Sequence, residues 1–169
     1  MIRLLGAALL LLGGLALGLT PVWELSRRAG ALRAWGEALL LLEGELSFSL
    51  PAMPQLLEVL RTKAPPPAGE TFAQVGKGLE HLGEKPFSQI WAQAVTEHSG
   101  LQGEDLAPLL GLGEALGRYD REERSRVLAS ARERLSRREE ECRAQFGNKG
   151  RAYGILGLAL GAFAIIFLL

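Results

Sequence analysis

The run AYGILGLALGAFAIIFLL, residues 152–169, holds eighteen positions without a charged side chain. As a helix rising about 1.5 Å per residue it covers roughly 27 Å, close to the hydrocarbon thickness of about 30 Å. Lys149 and Arg151 stand just before it. A basic edge followed by an uncharged run reads as a membrane anchor whose basic side stays in the cytoplasm. A buried core helix is the alternative reading, but core helices rarely stay uncharged for so long.

Residues 4–19, LLGAALLLLGGLALGL, form a second uncharged run, with Arg3 before it and Thr20, Pro21, Val22 and Trp23 after it. The pattern is also that of a signal peptide. However, Leu15-Ala16-Leu17 and Leu17-Gly18-Leu19 place bulky residues where a cleavage site needs small ones, and Trp23 suits an aromatic anchor at the interface. A retained span is therefore expected. Arg27, Arg28 and Arg33 follow the first run, and Lys149 and Arg151 precede the second. Both runs then put the segment between them on the cytoplasmic side. The expected organisation is a transmembrane helix over 1–22, a cytoplasmic helical domain over 23–149 and a transmembrane helix over 150–169. Gly14 and Gly18 in one run, and Gly157 and Gly161 in the other, are spaced four apart. Small residues one turn apart let backbones approach, so these are the candidate packing positions, either between the two spans or with a second copy of the chain.

The whole chain carries 19 basic and 19 acidic residues, which argues against a nucleic-acid partner, since that calls for a basic patch or stripe. Cys142 is the single cysteine, so no internal disulfide can form, and a reducing compartment fits. His81 and His98 have no Cys or second His at ligand spacing. No metal is expected, and both read as surface residues.

Within the middle segment the period is helical throughout. Leu25, Leu32, Trp35, Leu39, Leu42 and Leu46 recur at steps of three, four and seven, widened by Leu40 and Leu41, which predicts a long amphipathic helix over 26–46. Pro51 and Pro54 end it and open a shorter helix over 52–63, with Leu56, Leu57 and Leu60 inward. Pro65, Pro66 and Pro67 form a turn. Phe72, Val75, Leu79 and Leu82 make the next stripe, closed by Gly83. Pro86 opens a helix with Phe87, Ile90, Trp91, Ala94 and Val95 inward, broken by SGLQG at 99–103. A helix over 104–118 follows, with Glu104 and Asp105 at its positive end and Leu106, Leu109, Leu110, Leu112 and Leu116 as its face. Gly117 ends it, and Asp120 caps the longest helix, 121–146. There Leu128, Ala131, Leu135, Cys142 and Phe146 form a thin stripe among charges that read as a solvated, ion-paired surface. No stretch alternates with period two. The fold class is all-α, an antiparallel bundle of about six helices between the two transmembrane helices.

No catalytic chemistry is legible. There is no nucleophile elbow, phosphate-binding glycine loop, HExxH or cysteine pair. Glu43 and Glu45, two apart on a helix, point to different faces. Neither an enzymatic activity nor a cofactor is expected.

LLGLGEALGRYD at 109–120 resembles the LxxLGxxLGxxD signature of the stage III sporulation protein AB family. RLLGAALLL at 3–11 is similar to that family's apolar start, LEGELSFSLP at 42–51 resembles its segment ending in proline, and the closing basic-then-apolar helix matches as well. Arg124 stands where the family usually has Gln, and Ala52-Met53-Pro54 follow Pro51 in place of the usual leucine and acidic pair. The resemblance implies a role in endospore formation, in the mother cell, at the membrane engulfing the forespore. It also implies a helical domain similar to the cytoplasmic domain of F-type platform proteins of type II secretion and type IV pilus machines. By that likeness the partners are the cytoplasmic sporulation ATPase encoded in the same operon and other membrane components of a channel between mother cell and forespore. The signature residues Gly113, Glu114, Gly117 and Asp120 become the candidate partner-binding positions, beside their local reading as helix end and cap. A competing expectation is an exported helical domain with a cleaved N-terminal run, held by the C-terminal anchor as a structural or interaction protein.

Overall fold

The computed structural model describes residues 2–48, 51–117 and 121–168, and the side chains of 23–47, 51–117 and 122–145. Among them every regular element is a helix. Seven α-helices occur in the order α1 Ile2–Phe48, α2 Met53–Lys63, α3 Ala68–Gly78, α4 Phe87–His98, α5 Ala107–Leu110, α6 Leu112–Gly117 and α7 Arg121–Leu168. Short 3₁₀ turns at Leu79–His81 and Gly103–Asp105 follow α3 and α4. The chain divides into two compact units, one of Met1–Arg27 with Glu141–Leu169 and one of Arg28–Glu140.

In the first unit the two uncharged runs are helical, as parts of α1 and α7. The backbone of α1 continues through Pro21, where the run had been expected to close. Trp23 is 74% exposed, while Cys142 is buried. The runs themselves, with Gly14, Gly18, Gly157 and Gly161, lie outside the residues whose side chains are described, as does Phe146. Among the described residues no helix is long and apolar enough to cross a membrane.

The Arg28–Glu140 unit is organised by its aromatic side chains. Trp35 of α1, Phe72 of α3 and Trp91 of α4 meet with ring centroids 5.6, 6.0 and 6.4 Å apart, and Phe87 lies 6.2 Å from Trp91. Such pairs add about 0.5–1.5 kcal/mol each beyond the area they bury. Both buried indoles find acceptors: Trp35 Nε1 donates to the Ser99 carbonyl at 3.0 Å and Trp91 Nε1 to the Leu109 carbonyl at 2.7 Å. Leu32, Leu39, Leu56, Leu60, Val75 and Leu135 are buried in the same unit. Glu43 and Glu45 do face different ways, the first toward Arg132 at 3.1 Å and the second toward Lys63 at 2.9 Å.

Proline sets several boundaries. Pro54 occupies the first turn of α2, where its missing N–H has no helical partner to lose. Pro67 and Pro86 immediately precede α3 and α4. Gly69 lets α3 start tight against α2, since a Cβ there would lie 2.7 Å from the Ala64 carbonyl oxygen.

Three parts of the sequence reading need correction. Leu79 and Leu82 do not extend the α3 stripe. After Gly78 the chain tightens to three residues per turn, which rotates later side chains off the buried line, and Leu82 is 47% exposed. Leu40 does not widen the α1 stripe and is exposed. The single helix expected over 104–118 is a 3₁₀ turn and two short helices. Pro108 fits only a first turn, so α5 begins at Ala107, and a turn at Gly111 separates it from α6. Leu110, consequently, points outward.

Candidate functional site

The segment from the Gly103–Asp105 turn through α6 contains the quoted signature, and its side chains sort by face. Leu109, Leu112, Gly113, Ala115 and Leu116 are buried. Gly113 sits under the indole of Trp91: a Cβ there would lie 2.8 Å from Trp91 Cδ1 and 3.1 Å from Cγ. The Leu109 carbonyl accepts the hydrogen bond from the same indole. Much of the signature is thus the socket in which Trp91 is seated.

The outward face carries Leu110, Gly111, Glu114 and Gly117, all exposed. The Glu114 carboxylate has no ion-pair partner among the described residues. Gly117 is the last residue of α6, and a Cβ on it would make only an ordinary contact with Phe87, at 3.9 Å. Asp120, with its expected capping role, lies outside the described residues. Of the four candidate positions, then, Glu114 and Gly117 share the outer face while Gly113 faces inward.

The turn before α5 holds a feature the sequence did not disclose. Asp105 is only 1% exposed. Gly103, at φ +57°, takes the left-handed conformation that lets the chain turn there. Arg28 Nε donates to Asp105 Oδ2 at 2.5 Å and Arg28 Nη2 to Oδ1 at 2.8 Å, a bidentate pair. From the other side Arg138 Nε lies 4.0 Å from Asp105 Oδ1, and Arg138 Nη2 donates to Glu104 Oε2 at 2.5 Å. Asp105 was expected at the positive N-terminal end of a helix over 104–118. Instead the turn, with Asp105 buried and Glu104 exposed, ties α1 to α7. Its partners lie 77 and 33 positions away in sequence, beyond any local pattern.

Among the described residues no buried side-chain nitrogen or oxygen lacks a partner, and no three metal-ligating side chains cluster. His81 and His98 are exposed, each within 4 Å of a neighbouring glutamate, Glu84 and Glu97. The chemistry of this segment is that of a saturated polar tie beside an open, weakly charged face.

The sequence matches the family model for stage III sporulation protein AB over residues 3–169. The chain belongs to the stage III sporulation protein AB family. Membership gives it a role in the third stage of spore formation. No individual curated protein and no solved structure matches the chain. In this member of the family, the signature therefore has two faces, one seating Trp91 and one open at Glu114 and Gly117.

Proposed function

We propose that this protein is a membrane-anchored assembly component of the sporulation channel between mother cell and forespore. In this reading the uncharged ends of α1 and α7 span the engulfing membrane and the helical unit stands in the mother-cell cytoplasm. It acts as a structural platform that docks a cytoplasmic secretion-type ATPase, with no catalytic step of its own. Further channel components and membrane lipid are its other contacts, and a second copy of the chain is a candidate partner for the glycine-bearing spans.

The observation that carries this reading is the Asp105 turn. It ties both helices that continue into the uncharged runs, and the segment with the open signature face follows directly after it. A partner seated at Glu114 and Gly117 would bear on α5 and α6, and through the turn on α1 and α7 together. Rigid elements joined by ion pairs to a buried carboxylate can carry such a coupling. The charge balance of 19 basic and 19 acidic residues offers nucleic acid no general attraction.

Topology provides the first test. Cys142 is buried and a poor reporter, so exposed Ser130 is the better site for a thiol. In sporulating protoplasts, Ser130→Cys combined with Cys142→Ala should react with an impermeant maleimide only after the membrane is opened. Reaction from outside would establish the exported alternative and remove the platform reading. Given a cytoplasmic thiol, Glu114→Arg should abolish co-purification with the ATPase while leaving the helical circular dichroism intact.

A further inference from the structure

Helices α3 and α4 form a hairpin whose outer side is an open groove of about 340 Å³. Its floor exists because the helices touch at Gly78, where a Cβ would come within 2.3 Å of Ile90 Cγ2. One wall is basic, with Lys77 and His81 from the end of α3 and its turn, and Lys85 from the loop beyond. The opposite wall is the α4 face bearing Gln93, Glu97 and His98.

The charges in this groove do not cancel, although those of the chain do. Elsewhere in the unit Arg33, Arg61, Lys63 and Arg132 each sit beside a carboxylate. In the groove the one lining carboxylate, Glu97, is already engaged, accepting from Gln93 Nε2 at 3.2 Å with His98 Nε2 at 3.7 Å. The ammonium groups of Lys77 and Lys85 have no ion-pair partner among the described residues. Two cations thus line a concave surface whose lining acid, Glu97, is occupied, while Glu84 beside it lies 3.6 Å from His81 Nδ1. The amides of Gln74 and Gln93 add donors and acceptors of the kind a peptide backbone uses.

We propose that the α3–α4 groove is a docking site for an acidic segment of a protein partner, held by Lys77 and Lys85. The site is separate from the signature face and does not depend on the platform reading. A peptide is favoured over an enclosed small molecule because the groove is open and lined by polar groups on both walls. It is favoured over a lipid headgroup because the walls carry amides and a carboxylate in place of an apolar rim that could enter a bilayer.

The test uses the purified full-length chain in detergent and a fluorescein-labelled hexaglutamate peptide, read by anisotropy. Saturable binding is expected, weakening as ionic strength rises toward about 0.15 M, where charges are screened over about 8 Å. The double variant Lys77→Glu with Lys85→Glu should lose at least about tenfold in affinity. Arg126→Glu with Arg137→Glu makes the same charge change on exposed α7 positions and should leave affinity within about twofold. All four residues are exposed, so unchanged helical circular dichroism is expected in both variants. An equal loss in both double variants would reduce the effect to net charge and overturn the site. Absence of saturable binding by the unmodified chain would overturn it as well. So would binding to anionic-lipid vesicles with the same lysine dependence, if the peptide did not bind, because the groove would then be a lipid site.

Discussion

The bundle halves of α1 and α7 sit in the same unit and are held by burial and by charge in different proportions. On α1 a broad stripe is buried, made of Ala31, Leu32, Ala34, Trp35, Ala38, Leu39 and Leu42, and it carries one corner of the aromatic cluster. In the same unit α7 buries, among its described side chains, Leu128, Ala131 and Leu135, and reaches its neighbours through Arg132 to Glu43 and Arg138 to Glu104. The first helix is fixed mainly by apolar area, to which Arg28 and Glu43 add ion pairs with Asp105 and Arg132. The second depends for much of its hold on charges, two of them on the turn before α5. Burial decides whether the unit folds at all, and the ion pairs decide how α7 lies on it.

The largest separation between the two helices should come from truncating their best-buried side chains. Trp35→Ala should cost about 3–5 kcal/mol, since it opens the aromatic cluster and orphans the Ser99 carbonyl. Leu135→Ala should cost about 2 kcal/mol, the low end for such a change, because a thin stripe can close over the gap. Thermal melts followed by circular dichroism compare them, and equal costs would remove the contrast. Next comes Asp105→Ala, which leaves Arg28 without its bidentate acceptor and takes a nearby negative charge from Arg138. About 2–3 kcal/mol is expected, moderated because the Arg28 side chain is 42% exposed to water. Asp105→Asn should recover only part of this, since the amide can serve one arginine but not neutralise it.

Gly113→Ala should cost about 1–3 kcal/mol by overpacking, because the added methyl meets the Trp91 ring. A blue-shift or quenching change in tryptophan fluorescence should accompany it. Gly117→Ala, with only an ordinary contact to make, should be far milder, and an equally large loss there would show that the signature glycines do more than seat Trp91. Arg132→Ala should cost at most about 1 kcal/mol, and that loss should vanish at high salt. The smallest effect belongs to Glu58, whose pKa is lowered by a hydrogen bond from Arg61 within α2. A lowered carboxylate adds stability above its unfolded value and loses it as pH falls through the folded one. Acidification should therefore remove this contribution, and Arg61→Gln should flatten that part of the pH profile.

How much of this could be read from the residues depended on how local the cause was. The all-helical class, the limits of α2 and α4, and the inward rows Leu56, Leu57, Leu60 and Ile90, Trp91, Ala94, Val95 follow from period and proline, which act within a few positions. Leu128, Ala131 and Leu135 were legible for the same reason. Asp105 was not, because an acid two residues after a glycine looks the same whether its partner is water or an arginine 77 positions away. Gly113 was singled out by the signature, but its physical cause, the Trp91 ring, lies on another helix. Pro108 could have revealed the break before α5, had its intolerance of helix interiors been weighed against the leucine row around it.

The pairing of Arg28 and Arg138 at Asp105 and Glu104 also changes what kind of polymer the unit is. The two arginines sit close to the two ends of the Arg28–Glu140 segment, and both are pinned to one turn in its interior. Pinned there, the segment behaves as two closed loops sharing a knot. The entropy of closing a loop grows only with the logarithm of its length, about 0.6 kcal/mol per doubling. Extra residues inserted in the 82–86 connection should therefore hardly loosen it. Losing the Asp105 carboxylate would open the Arg28 loop and leave Arg138 held to the turn by Glu104.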